Sequence, residues 1–485
     1  MSETNRVRLL LVFLLACQGA LVVLLPGARL NGDEPYYAGK ARYFFEHHRF
    51  EHVSAEDLAA ERGERWGNSD WRPQGYPLFV AAVSPGDFRE ATLRPRVTAV
   101  QFALIAAALW VLFEIVARRM RGFRLVVAVI VLGAAPWPFE FVASITPDSL
   151  TASVTFFSLV LLWLGSEREN KLLLFAGSFL LSTTLLLRPE MIALVPFVLL
   201  AATLLRRADR RTFLKRGAAC ASAFAIVVGL QLAYRTEVTG RPGLFGGLHI
   251  RDAGAFEWVN TWLGSENEAY NFIYGLSNGE LGNDLPARAF SNDEERRIVG
   301  EVIRRDRLRG DYGADLDATF HQLAEKRRRE HPFLSIVGTR VWHSIHLWLN
   351  LEMNSQLLNA LTVVPRPIRR PFLGMLCLAK PVLLALFAVG TMRWKRSTVP
   401  GLIALCAVLV IGRTLLVGGA LNWMVHRYVL NAWLPLLACA IAGLQTWPAL
   451  RHHPRGLRIA DSKTFQVPDR TMRQSAELTL PGTTK

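Results

Sequence analysis

"RLLLVFLLACQGALVVLLPGARLNGDEPYYAGKARYFFEHHRF", residues 8–50, joins an apolar run to an acid pair and then to a segment loaded with aromatics and bases. A hydrocarbon core of about 30 Å takes roughly 20 helical residues to cross, and residues 7–27 supply them with Arg8 as their one charge. Behind Arg6 and Arg8 the run resembles the front of a signal peptide. It is long for one, and "LPGARL" is a poor small-residue cleavage site, so it reads as an uncleaved first span. Asp33 and Glu34 follow at the membrane edge, with Pro35 opening an aromatic and basic helix that suits the interface.

Similar apolar runs recur at 96–117, 123–143, 148–165, 171–187, 190–205, 214–234, 372–391, 399–418 and 427–446 in a chain of 485 residues that is 51% hydrophobic. The fold class expected is therefore an all-α polytopic membrane protein of about ten transmembrane helices. It has juxtamembrane helices in the first external loop and one large external helical loop. Residues 1–234 form a transmembrane module containing the external loop 28–95, and 235–332 form an external helical region. Residues 333–450 hold an interfacial helix and the last spans, and the basic tail 451–485 has little apolar periodicity and reads as disordered.

Residues 333–351, "FLSIVGTRVWHSIHLWLNL", would carry Arg340, His343 and His346 into hydrocarbon if they spanned. They read instead as an amphipathic helix with Trp342 and Trp348 at headgroup level. Within 235–332, the segments "NDEERRIVGEVIRRDRLRG" and "DLDATFHQLAEKRRREHP" each put apolar residues on one helical face, as a helical hairpin requires.

The net charge of +16 sits in short connectors: Arg118, Arg119, Arg121 and Arg124; Arg206, Arg207, Arg210, Arg211, Lys215 and Arg216; Arg393, Lys395 and Arg396. That distribution orients spans and does not form a nucleic-acid face, so no nucleic-acid partner is expected. The positive-inside rule then places both termini in the cytoplasm of a cell (inner or plasma) membrane, and the unusual acids on the external side. The five cysteines lie in apolar segments without metal-ligand or disulfide spacing. His47, His48 and His52 in "EHHRFEH" and the acids of "GDYGADLD" are weak metal signals, since neither has the ligand spacing of a zinc or EF-hand site.

Five short constellations carry chemistry-bearing residues. Asp33 and Glu34 can be explained as a helix cap and first-turn acid, but an ionisable pair at a membrane cavity is a functional candidate, with Asp33 the one facing the reaction. "WRPQGYPLFVAAV", 71–83, is either a loop re-entering at the aromatic belt or a phosphate site built on Arg72 and Tyr76. "SITPDSL", 144–150, places Asp148 in the first turn of a helix, where an acid also suits the dipole. "LLRPEMIAL", 186–194, offers Arg188 and Glu190 between two spans, and "NWMVHRYVLNAWLPLL", 422–437, offers His426, Arg427 and Tyr428, all of which also serve as interfacial anchors. Together they gather arginines and acids around one external rim, an arrangement suited to a lipid phosphate and an acceptor that must lose a proton.

The ordered set "DEPYY", "RPQGYPLF", "TPDSL", "LLRPE" and "HRYVLNAWLPLL" resembles the glycosyltransferase family 39 and aminoarabinose-transferase group, membrane enzymes of the GT-C fold. The resemblance runs in order over most of residues 1–445. It implies transfer of a sugar from a polyprenyl-phosphate donor to a lipid, glycan or protein acceptor on the external face, with inversion at the anomeric carbon. Carried over by motif, Asp33 is the general base, Glu34 supports the loop or the acceptor, and Asp148 is the second acid. Arg72, Tyr76 and Arg427 are implied to bind the donor phosphate. Arg72 stands where aminoarabinose transferases have a lysine, so sugar and acceptor stay open. The resemblance implies no fixed cofactor, and a divalent metal stays open because the requirement differs among enzymes of this fold.

Two readings from other classes stand beside it. A transporter or flippase of an envelope glycolipid precursor also suits ten spans, though its polar residues belong at the midplane and here they gather at one rim. A non-catalytic scaffold binding a partner through 235–332 predicts losses on deleting that region and none on changing Asp33 or Asp148.

Overall fold

A computed structural model describes residues 2–24, 33–48, 73–206, 209–239, 243–244, 253–265, 268, 271–272, 285–309, 314–349, 366–422 and 426–447. Seven of its helices are long and apolar enough to cross a membrane: Glu3–Val23, Glu90–Ile115, Asp148–Glu167, Arg210–Glu237, Gly374–Met392, Pro400–Ala420 and Arg427–Thr446. Three shorter apolar helices, Phe123–Phe139, Lys171–Leu186 and Pro189–Leu204, account for the remaining runs read from the sequence. The protein is thus a polytopic helical membrane protein, and residues 1–447 pack as one compact unit. The tail 451–485 and the first-loop segment 49–72 lie outside the described residues.

Prolines explain why three segments are short. The helix Phe123–Ala134 stops before Pro136 and Pro138, which remove amide donors and force a 3-10 turn at Trp137–Phe139. At the 187–190 junction Arg188 is extended (φ −143°) and Pro189 opens a 3-10 turn, so the chain breaks between two apolar helices and presents Arg188 and Glu190 sideways.

Asp148–Glu167 and Trp433–Thr446 are buried at the middle of the bundle, whereas Glu3–Leu24, Arg210–Thr239 and Arg366–Met392 turn large apolar side chains such as Phe13, Leu230 and Leu378 outward. Thr151, Ser153 and Ser158 donate their hydroxyls back to the carbonyls of Pro147, Ser149 and Val154, so these three polar side chains of the central helix are satisfied within it. Gly390 and Gly443 meet where the helices Arg366–Met392 and Trp433–Thr446 cross. A Cβ on either would strike the opposing backbone at Cys439 or Leu386, the close approach that small residues permit between membrane helices.

The basic connectors collect at one end of the bundle. Arg119 donates to the Thr398 carbonyl, Arg124 to that of Gln445, Arg393 to that of Thr446 and Arg206 to that of Glu167, so several of them cap open helix C-termini. Glu3 accepts from the Gly122 amide at the same end.

At the other end, two juxtamembrane helices build a small core of their own. Helix α1, Glu34–His47, packs Tyr37, Ala38 and Ala41 against Tyr76, Val80 and Ala81 of helix α2, Gly75–Val83. The Tyr37 and Tyr76 rings meet edge to face at 5.0 Å. Gly75 lies 2.5 Å, measured from an added Cβ, from the Leu186 carbonyl oxygen, so only glycine lets this helix reach the 187–190 junction.

The two segments expected to form a helical hairpin are both helical and pack on each other. Helices α3, Asp293–Arg309, and α4, Ala314–Glu330, pack Val299, Val302, Leu316, Phe320 and Leu323 around Trp258. Residues 333–349 then run as one helix that begins with a π-helical stretch at Phe333–Gly338. Phe333, Leu334, Val341, Trp342 and Ile345 face outward. Trp348 departs from the headgroup placement expected of it. It is buried and donates to Thr414 Oγ1 at 2.9 Å, because it falls on the face of the helix that packs on the bundle.

Candidate active site

Asp33 stands at the position before helix α1, where a carboxylate ordinarily accepts from the first free amides. Its backbone carbonyl accepts from the Tyr37 amide at 3.3 Å, but its side chain makes no capping bond. The carboxylate instead turns to Arg427, accepting from Nη2 at 3.4 Å. That choice separates the functional explanation of the acid pair from the capping one.

Arg427 is the centre of an alternating chain of charges. Its Nε donates to Asp148 Oδ2 at 3.0 Å, and Asp148 Oδ1 pairs with Arg188. Arg188 Nη1 donates to Glu190 Oε1 at 3.1 Å, and Arg413 Nη2 donates to the same oxygen at 2.9 Å. Arg413 Nε reaches the Tyr428 carbonyl at 2.5 Å. Three carboxylates and three arginines therefore run in the order Asp33, Arg427, Asp148, Arg188, Glu190, Arg413. Aromatic faces set the planes of two of the guanidiniums: the Tyr428 ring lies 5.4 Å from that of Arg188, and the Phe141 ring 5.7 Å from that of Arg427.

Exposure along the chain is highest at the Asp33 end, with Glu190 intermediate at 17%. Arg413 and Asp148 are each 1% exposed at the side chain and Arg188 9%, while Arg427 and Asp33 reach 23% and 24%. An unpaired charge at the closed end would cost several kcal/mol, so those members need one another to be buried at all. The open end has access to a ligand.

Local structure explains how each member gets there. Asp148 is the first residue of the central helix, after Pro147. Arg188 and Glu190 flank Pro189 at the broken junction. Arg427 and Tyr428 lie in a 3-10 segment, His426–Ala432, that precedes the last helix. Five separated stretches thus converge at the end opposite the basic connectors.

The remaining sequence candidates fall elsewhere. Glu34 is buried and faces away from Asp33, as adjacent helical residues must, since they diverge by about 100°. It accepts from Arg94 at 2.9 and 3.2 Å and from the Ile145 amide at 2.9 Å, which ties helix α1 to the 143–148 segment and so positions both Asp33 and Asp148. Tyr76 is fully buried in the small core, its hydroxyl donating to Gln101 Oε1 at 3.3 Å. Gln101 in turn donates to the carbonyls of Val142 and Ser144, so Tyr76 supports the same segment from behind. Arg72 and the His426 side chain lie outside the described residues.

Two members escaped the reading of the sequence. Arg413 sits inside the apolar run "ALCAVLVIGRTLLVGG", and a charge within a span is a functional candidate by default, which was the available signal. Arg94, in "TLRPRV", looks like an ordinary helix-start base, and only contact with Glu34 distinguishes it. Among the described residues no three His, Cys, Asp or Glu side chains converge to hold a metal ion.

No family model matches the chain, and no curated protein does. Among solved structures the chain is similar to the crystal structure of ArnT from Cupriavidus metallidurans bound to undecaprenyl phosphate. The identity is 15% and the TM-score 0.33, over 91% of this chain and 78% of that one. A likeness at that level assigns no residue correspondence.

Proposed function

We propose that this protein is an inverting membrane glycosyltransferase of the GT-C type, using a polyprenyl-phosphate-linked sugar and an acceptor hydroxyl or amine on the external face. The observation that carries the reading is the bridge of Arg427 between Asp33 and Asp148 at the open end of the charge chain. It puts a partly exposed carboxylate beside a guanidinium, the two groups such a transfer needs.

In the reaction, the acceptor oxygen or nitrogen attacks the anomeric carbon as the bond from that carbon to the donor phosphate oxygen breaks. Asp33 takes the acceptor proton, and the bonding pair leaves with the phosphate as polyprenyl phosphate. Arg427 faces the phosphate oxygens, where charge develops, with the planar fork that suits them. Asp148 and Arg188 hold Arg427 in place, Glu190 and Arg413 anchor Arg188, and Glu34 with Arg94 fixes the two segments that carry the acids. Arg72 is the further cation proposed for the donor phosphate.

The test is release of free polyprenyl phosphate from a panel of polyprenyl-phosphate sugars by purified protein, wild type beside Asp33→Asn. Release that depends on Asp33 is the expected result and names the sugar. Equal release by the variant removes Asp33 from the chemistry, and an absence of release with envelope acceptors supplied sinks the transferase reading.

A further inference from the structure

Within the reading above, the Asp33–Arg427 contact differs from every other described link of the chain. Arg427 is held on one side by Asp148 at 3.0 Å and lies against the Phe141 ring. Asp148 is itself buried and shared with Arg188. The contact to Asp33, at 3.4 Å, is the longest of the described links, and it joins the two most exposed members of the chain. Among its described contacts Arg427 thus has a close, buried carboxylate and a longer, more exposed one. A guanidinium in that position can exchange its more exposed partner for another anion while staying anchored, because its Nε and Nη edges are distinct donors.

We propose that the donor phosphate binds by exchange: it takes the Arg427 Nη edge from Asp33, so that loading the donor lifts this guanidinium off the carboxylate that acts as base. In the unloaded protein Arg427 Nη2 occupies the carboxylate at 3.4 Å. Phosphate replaces one anion by another on the Arg427 Nη edge, while Asp148 stays on Nε, so the balance of charge at the guanidinium is kept. Order of binding follows, with the donor first and the acceptor deprotonated only afterwards. The ligand class is a phosphate monoester or diester presented on a lipid, and Asp33 is its competitor for one cation.

The experiment is equilibrium binding of a sugar-free polyprenyl monophosphate to the full chain in lipid nanodiscs, with polyprenol and inorganic phosphate as separate probes. Asp33→Asn should bind the polyprenyl phosphate roughly three- to tenfold more tightly, the range expected when a partly exposed competing ion pair is removed. Polyprenol affinity should not move, and a gain for inorganic phosphate alone would identify the site with free phosphate and overturn the lipid assignment. The gain must vanish in an Arg427→Gln background. A gain that persists there is a plain field effect of the lost charge and overturns the exchange. Asp33→Ala serves beside Asp33→Asn in case one variant folds poorly, and equal or weaker binding by a folded variant also overturns the proposal. Transfer assays keep the two ideas apart. Sugar transfer that depends on Asp33 without any change in affinity sinks the exchange alone, whereas tighter binding in a protein that transfers no sugar sinks the transferase reading alone.

Discussion

Glu295 with Arg327 in the 253–330 region, and Asp148 with Arg188 and Arg427 in the bundle, are both acids and arginines taken out of water, and they are built differently. Glu295 forms an ion pair with Arg327 Nε at 2.8 Å and accepts from Trp258 Nε1 at 2.7 Å and the Ser291 amide at 2.8 Å. Arg327 spends its other nitrogens on Thr261 Oγ1 at 3.1 Å and the Ala289 carbonyl at 2.5 Å. All of these partners belong to one packed cluster around Trp258, and the two side chains are 6% and 8% exposed, so the assembly is closed. The bundle assembly gathers its members from residues 33, 148, 188, 190, 413 and 427 and stops at a carboxylate that is partly open. Burial and pairing alone mark a structural pair as readily as a working site. What separates the two is convergence from distant segments together with an end at which a ligand can compete.

The sharpest way to break that contrast is to neutralise one acid in each assembly. Asp33→Asn should lower transfer by about 10²- to 10⁴-fold, the usual worth of a positioned general base, with little change in thermal stability. Turnover measured beside a melting curve in the same detergent checks it, and a loss of both together would make Asp33 a structural residue. Glu295→Ala should do the reverse. Removing one partner of a buried pair costs about 3–5 kcal/mol, so the variant should melt earlier or be cut faster by protease within 253–330, while the rate per folded molecule stays near wild type.

Acid should act on the closed assembly in a defined direction. Burial alone pushes the Glu295 carboxyl up, but the hydrogen bonds from Arg327 and Trp258 outweigh it and hold the group below its ordinary value. A carboxyl depressed in the folded state contributes stability that is complete above its unfolded pKa and drains away as pH falls through the folded one. The 253–330 region should therefore be equally stable at neutral and mildly acidic pH. It should loosen only below the ordinary carboxylate range, and Glu295→Gln should flatten that acid limb. Hydrogen exchange of helices α3 and α4 against pH measures it.

The smallest effect is expected from Tyr76→Phe. Its hydroxyl makes one 3.3 Å bond, to Gln101, from inside a packed core, so the change should cost about 1 kcal/mol of stability or less and alter donor affinity less than threefold. A tenfold loss of affinity with unchanged stability would restore Tyr76 as a phosphate ligand and redraw the boundary between support and site.

Much of the fold could be read from residues close in sequence. The apolar runs, Pro189 between two of them and the apolar faces of the 293–309 and 314–330 helices are local signals, because hydrophobic length, amide loss and helical periodicity act within a few turns; the run read as 123–143 is corrected by the structure, where the helix ends at Ala134 ahead of Pro136 and Pro138. The acids and arginines of the site were legible as residue types at helix ends. Their pairing was not. Helical divergence singles out Asp33 over Glu34 in "GDEPYY", but only the structure gives their partners, Arg94 for Glu34 and Arg427 for Asp33. Tyr76 looks like a phosphate ligand beside Arg72, yet close packing at Gly75 turns it into the core.

The sequence by itself determined that this chain is a bundle of membrane helices with charged residues gathered at their ends, since water and hydrocarbon sort residues one segment at a time. Only the tertiary structure decided which carboxylate meets which guanidinium. Asp33 and Arg427 stand 394 positions apart, and no local preference couples them. Their contact exists because a low-dielectric interior admits charges only where an opposite charge arrives from another helix, and the packing of the whole bundle sets where that happens.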